Sequence, residues 1–558
     1  MIAKSLKRLY LNWLPLLCAT FLFPLLSSAQ ITQVPYNSDS TFYRVDLALK
    51  NPDQCFYLFL EADTLQSLPK EFKSLKNLKG ITFRYCLNAN WSDIFTRLAD
   101  LPSLKYLEIS ICDLKIIPEN ISLLDQITSL NVKSNLLEKL PQSIKGCDQL
   151  EYLNLSFNRY AEMSLLIDQL KSILKLRSVD LSNAWISELP DNFSALINLI
   201  SLDLSDNRLH SLPEGFANLK SLQILDLSNN RLLAFSTELI KVTQLTHLKE
   251  LRLASNELIK IPESLGDLSQ LEVLDLSGNI LNELPSSIGN VSALRDLNLG
   301  SDAARQRRNR IRNFPGTFNN LTNLERLNLS GDSLIRIPEA ISNFTKLKEL
   351  NLSWCTVFEI SPAIMALRNL EILYLDHNHI NKIPEWIGEL TALRELHIDG
   401  DYFTYPLDKI TILPPSIGLL KNLEVLTLKD QVIRALPPSI SECTKLKVLD
   451  LRNNLLSSLP DEFTLMESLE YLDLKANEIE NLPSGFSQLK SLKHLNISYN
   501  QPLNLPAAAQ QIQHMKQLEV LDISFNQLSP QIYYGLKKVL PDTKIIAKGF
   551  NNLNQLGN

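Results

Sequence analysis

The chain has 558 residues, 45% of them apolar, with 61 acidic against 55 basic side chains and a formal net charge of −6. A mean hydropathy of −0.03 supplies enough apolar side chain for a large core, so a disordered polyelectrolyte is excluded. The mild acidity gives no general basic field, which argues against nucleic acid as the main partner.

At the N-terminus Lys4, Lys7 and Arg8 precede an apolar run from Leu9 to Leu26. Ser27-Ser28-Ala29 then offers small residues for cleavage before Gln30. This is the pattern of a secretory signal. Asn12, Pro15 and Pro24 break the run, which is also short for a bilayer span. Cleavage after residue 29 removes three positive charges and no negative one, so the net charge falls from −6 to −9. The expectation is an exported chain with no stable membrane insertion once the signal is removed.

Residues 30–54 are irregular and polar until the apolar positions of Phe42 to Leu49, and they read as an N-terminal cap. From residue 55 to 529 one pattern recurs, seen most clearly in LEVLDLSGNILNELPSSIGNVSA at 271–293. Leu271, Leu274 and Leu276 are followed by Asn279, Leu281, Leu284, Pro285 and Ile288. That spacing is neither the period of a helix nor strict strand alternation. It fits a short strand, a tight turn at the asparagine and a return path opened by proline. Twenty such units begin at Cys55, Leu78, Leu104 and onward to Leu518; most steps are 23 residues, four are 26 and two are 30. A single coil cannot hide its own leucines and needs copies above and below.

The pattern LxxLxLxxNxLxxLPxxIxxL resembles that of leucine-rich repeats. What the resemblance implies is an α/β fold, a leucine-rich repeat solenoid (a curved horseshoe) with a parallel β-sheet of about twenty strands on the concave face. The 23-residue LxxLPxxI form is similar to Ras-pathway and polarity scaffolds, plant Ras-group proteins and exported bacterial repeat proteins. The signal sequence favours the last group. The resemblance implies macromolecule binding on the inner face without catalysis.

Within a unit, asparagine at the ninth position has donors and an acceptor for backbone groups freed by the turn. Asp63, Asp302, Asp332, Asp401, Gln431 and Ala184 hold that place in other units. The 26-residue units carry their extra length on the return side, where 92–101, 162–174 and 236–245 are expected to form helices, with Ser92 and Ser236 as N-caps. Six cysteines of the mature chain replace interior residues, so buried thiols are expected; Cys86 and Cys112 occupy equivalent sites on adjacent coils, where one bridge is geometrically open. Past residue 530, Ile532, Leu536, Leu540, Ile545 and Ile546 continue an apolar pattern without the repeat, so 530–558 reads as a C-terminal cap and tail with a helix near 530–539.

No phosphate loop, nucleophile elbow or HExxH occurs, so no enzyme and no cofactor is expected. Function must come from the displayed face. The side chain after the second strand leucine is usually Ser or Gly from Ser156 to Ser353, then becomes Asp376, Asp399, Lys429, Arg452 and Lys475. Neighbouring positions gain Trp354, Tyr374, His377 and His397. Packing does not explain departures at exposed sites, and aromatic and charged groups are what interfaces use as anchors. Asp376, His377, His397 and Asp399 are also of metal-ligand type, but such pairs are ordinary on a polar binding face. Two seven-residue insertions leave the same rim. One carries Arg305, Arg307, Arg308 and Arg310, suited to carboxylates, phosphates or sulfated glycans. The other carries Tyr402, Phe403 and Tyr405, suited to apolar contact. The reading is a non-catalytic, exported protein-binding module that works through the concave face and rim loops of repeats 11–18. The alternative is a glycan or anionic-polymer binder using the two rim loops.

Overall fold

A computed structural model describes residues 40–61, 64–230, 236–301, 308–401 and 408–549. They form two compact units that divide at Asn256 and Glu257. The first holds ten parallel strands, from β1 (Thr41–Phe42) to β10 (Glu250–Arg252). The second holds twelve, from β11 (Val273–Asp275) to β22 (Lys544–Ile546). Each unit is therefore a stack of leucine-rich coils, one strand to a coil.

Register follows from the leucines. In the second unit Leu350, Leu373, Leu396 and Leu426 lie opposite one another on successive strands, and all four are fully buried. The two flanking leucines of each coil point the same way, so three leucines fill a slab whose upper and lower walls are the neighbouring coils. Proline opens the return path. Pro285, at φ −64° and ψ 150°, precedes a 3₁₀ turn at Ser286–Asn290 that buries Ile288. Proline is suited to that place because its missing N–H has no intrahelical partner there.

The lengthened units do form helices: α1 (Val45–Lys50) lies ahead of the repeats, and α2 (Trp91–Leu98), α3 (Met163–Lys171) and α4 (Ser236–Thr243) occupy the three expected segments. Further on come α5 (Leu505–Ile512) and α6 (Pro530–Val539). Asn90, not Ser92, caps α2, its side-chain oxygen accepting the Asp93 amide at 3.2 Å. Trp91 enters the core one residue earlier than the sequence suggested, which places Ser92 inside the first turn. The side chain of Ser236 lies outside the described residues.

The asparagine ladder has a uniform geometry. Asn158 donates to the Val132 carbonyl of the previous coil (3.0 Å) and to its own Leu155 carbonyl (3.1 Å), and accepts the Leu137 amide (3.0 Å). The residue just before the ladder position takes a left-handed backbone in both units, as at Phe157 (φ 54°), Asp206 (φ 55°), Trp354 (φ 58°) and His377 (φ 55°). Such a conformation costs roughly 1–2 kcal/mol for a residue with a Cβ, and the ladder bonds offset it.

Three expectations about this ladder need correction or refinement. Asn309, not Asp302, takes the place in the coil with the arginine insertion: it is fully buried, donates to Leu276 (3.0 Å) and Leu299 (2.7 Å), and accepts from Leu281 (2.9 Å). The seven extra residues thus sit ahead of the ladder position. Gln431 reproduces the asparagine pattern, donating to Ile398 (2.9 Å) and accepting from Ile410 (2.8 Å). Asp332 does not: both its carboxylate oxygens are buried without a hydrogen-bond partner.

Cys55, Cys86, Cys112, Cys147, Cys355 and Cys443 are free and buried. The Cys112 sulfur accepts the Cys86 amide at 3.3 Å. Burial pushes the Cys55 thiol up to about 11, and those of Cys147, Cys355 and Cys443 up to about 12.

Candidate functional site

In-register parallel strands bring equivalent side chains of successive coils within about 5 Å of one another. Rings at equivalent positions therefore stack. In the second unit two such pairs, and a third between residues 21 apart (Phe358 and His379), follow in close succession. Trp354 and His377 stack with centroids 3.8 Å apart and planes at 18°, Phe358 and His379 at 5.1 Å and 17°, and Tyr374 and His397 at 4.7 Å and 18°. Trp354 remains 56% exposed. Its indole is held up at the left-handed turn, where the preceding coil has Gly331 at φ 77°. Burial holds the His377 imidazole below its ordinary value, so it stacks in the neutral form near pH 7.

The charged residues occupy two columns of the same sheet. Asp376 accepts the Asp399 amide (2.8 Å) and the Ser353 hydroxyl (3.5 Å). Burial, together with the Asp399 carboxylate, pushes its carboxyl up to about 6. Asp399 in turn accepts the Lys429 amide (3.0 Å) and pairs with the Lys429 ammonium (2.8 Å). Arg452 clasps Asp450 through Nε, 3.1 Å from one carboxylate oxygen and 2.9 Å from the other. Asp473 accepts from the Lys475 amide (2.9 Å), the Tyr471 hydroxyl (3.3 Å) and Asn496 (3.2 Å), and burial and Asp450 raise its carboxyl to about 6.

Not all of these side chains are on display. Asp399 and His397, expected on an exposed face, are each only 6% exposed. The reason is local: the Lys429 side chain lies over Asp399, and the Tyr374 ring covers one face of His397. The cations keep more contact with water, with side chains 31% exposed at Lys429 and 30% at Arg452. His397 sits with Nδ1 3.1 Å from the Thr427 hydroxyl and Nε2 3.3 Å from the Glu395 carboxylate. Thr427 is 1% exposed, which closes that hydroxyl to a substrate. Among the described residues no group of three or more His, Cys, Asp or Glu is gathered for a metal ion.

Of the rim residues, Arg308 and Arg310 are exposed, and the Arg310 backbone is fixed by a 2.7 Å bond from its amide to Leu281. Arg305, Arg307, Tyr402, Phe403 and Tyr405 lie outside the described residues. Sequence reasoning missed Thr427 and Glu395, which hold His397, and Asp450 and Asp473, which hold Arg452 and Lys475 from below. The signal for Thr427, Asp450 and Asp473 was present two residues before Lys429, Arg452 and Lys475, in the column between the two strand leucines. What the arrangement offers is stacked rings with one edge in water, beside half-exposed cations whose positions are set by buried carboxylates. That suits recognition by aromatic contact and directed hydrogen bonds. Among the described residues no helix is long and apolar enough to cross a membrane.

Comparison with known proteins agrees with this architecture. A profile described as a leucine-rich repeat region matches residues 222–356, and leucine rich repeat profiles match 175–232, 421–479 and 444–501 and 369–390. No curated protein matches the chain. Among solved structures, a leucine-rich repeat protein of Leptospira interrogans is 28% identical, with a TM-score of 0.50, covering 90% of this chain and 99% of that one. TLR13, solved as a complex with ssRNA13, is 22% identical with a TM-score of 0.53, covering 88% and 82%. An internalin (InlF) of Listeria monocytogenes is 20% identical with a TM-score of 0.47, covering 64% and 88%.

Proposed function

The chain belongs to the leucine-rich repeat family, and from that premise we propose that it is an exported, non-catalytic module binding another protein. The strand face and rim of repeats 11–18 are the working surface. The observation that carries this reading is Trp354: a large apolar ring, more than half exposed, held in a costly left-handed conformation and braced by His377. The left-handed turn itself is common to the coils, and the preceding coil has Gly331 there, so what singles out this place is a large ring left in water that packing does not require. Tyr374, Asp376, His377, His397, Asp399, Lys429, Arg452 and Lys475 extend the same surface. The rim residues Arg305, Arg307, Arg308, Arg310, Tyr402, Phe403 and Tyr405 border it in sequence. Export rests on the basic and apolar pattern of residues 1–29.

The test is retention of a partner by the purified chain, compared with a variant carrying W354A, Y374A, Y402A and F403A. Loss of the partner in the variant is expected; unchanged retention refutes the surface. Binding anchored on aromatic contacts should weaken little between low and physiological salt. Steep weakening, together with loss only on replacing the four insertion arginines by Ser, would instead establish the anionic-polymer alternative.

A further inference from the structure

The first unit carries a second cluster that packing does not explain. Trp185 follows the ladder position held by Ala184, has φ 62° and is 56% exposed. The Arg208 guanidinium carbon lies 4.2 Å from the centre of its indole and that of Arg159 lies 5.9 Å from it. The two arginines come from the coils on either side, so the ring is flanked by one cation from each neighbour. Among the described residues neither guanidinium has a carboxylate within ion-pairing distance, although most arginines on the strand faces do.

The chain provides its own comparison. Units lengthened by three residues recur every 72 residues, and the positions equivalent to Trp185 are Asp113 and Glu257. Both share the left-handed backbone, at φ 51° and 62°. The turn therefore belongs to the coil's design, whereas the tryptophan is peculiar to this coil. A bulky ring in that conformation, kept in water between two arginines, is an exchange of a carboxylate for an aromatic platform.

We propose that Arg159, Trp185 and Arg208 form a clamp for a single carboxylate, the side chain of an Asp or Glu on an extended segment of a partner protein. This site belongs to the first unit, and the proposal does not depend on the surface proposed above. A guanidinium lying against an indole face keeps its edge N–H donors free in a plane, the geometry that a carboxylate takes in bidentate fashion. The surroundings set the ligand's charge. Asp180, Asp203 and Asp226 stand opposite one another on the neighbouring strands of the same face, and Asp206 is exposed at the turn beside Arg208. Burial and the Asp226 carboxylate push the Asp203 carboxyl up to about 8, so the repulsion comes from Asp180, Asp226 and Asp206; a polyanion laid across these coils would meet those charges, whereas one carboxylate reaching the rim would not.

The experiment uses the full chain and a phage-displayed library of twelve-residue peptides, counter-selected on the R159Q/R208Q double variant. The surviving peptides are expected to share an Asp or Glu at one position. Changing that residue to Asn or Gln, or introducing W185A or R208Q in the chain, should weaken binding about tenfold or more. R208K, which keeps the charge and loses the fork, should weaken it comparably and guards against a folding defect in R208Q. Peptides without an acidic consensus, or no peptide surviving the counter-selection, would overturn the proposal. So would a heparin octasaccharide that binds the same three residues with steep salt dependence.

Discussion

Replacing Asp332 by Asn should stabilise the second unit, and by an amount that depends on pH. Asp332 occupies a ladder position, is 2% exposed and has no hydrogen-bond partner for either oxygen. Burial pushes its carboxyl from 3.8 up to about 8; the Ile311 amide opposes the shift without closing a bond of normal geometry. A carboxyl raised in this way favours folding while it is protonated. Its contribution is intact below about pH 4, is lost as pH climbs towards 8, and changes no further above that. Each pH unit inside the window costs about 1.4 kcal/mol, so the burden at pH 7 is on the order of 4 kcal/mol. Asparagine has the same shape, carries no charge and supplies two donors. By the pattern of Asn158 it would donate to Leu299 of the previous coil and its own Leu329, and accept from Ile311, for about 1 kcal/mol net per bond. The assay is urea unfolding of both proteins at pH 4.5 and pH 8, with hydrogen exchange over residues 324–356 to localise the effect. The expected gain is about 8 kcal/mol at pH 8 and about 4 kcal/mol at pH 4.5, the three new bonds adding about 3 kcal/mol at both. A gain of equal size at both pH values, or a loss, would refute the reasoning.

Four further outcomes follow from the same geometry. Asn500 is fully buried, donates to Leu474 (2.9 Å) and Ile497 (3.0 Å) and accepts from Ile479 (3.1 Å); N500L should cost about 3 kcal/mol in urea unfolding, since it strands those backbone groups. W354G should leave thermal stability within about 1 kcal/mol, because relief of the left-handed strain offsets the lost stack on His377, yet it should abolish partner retention. R452A leaves Asp450, only 1% exposed, without its cation and should cost about 3 kcal/mol; the D450N/R452A double variant should recover part of that loss in a double-mutant cycle. The six cysteines from Cys55 to Cys443 are buried, and burial raises the thiols of Cys55, Cys147, Cys355 and Cys443, so at pH 8 all six should resist a disulfide-exchange reagent in native buffer and react in denaturant.

Much of this molecule is determined one coil at a time. The leucine spacing, the proline that opens each return turn and the added residues that wind into α2, α3 and α4 depend on contacts inside a single repeat or between identical partners in register, so sequence alone set them. It also set which columns face outward. What it did not set is how neighbours on that face treat one another. Asp399 and Lys429 lie 30 residues apart, and Arg159, Trp185 and Arg208 span two repeats; whether one side chain covers, pairs with or stacks on the next depends on reach and rotamer across the coil-to-coil gap. The same holds for Asn309, which takes the ladder place at the end of the inserted residues, and for Asp332, whose oxygens find no donor. Stacking fixes which residues become neighbours, and only the side-chain geometry at that short distance decides which of them remain available to a partner.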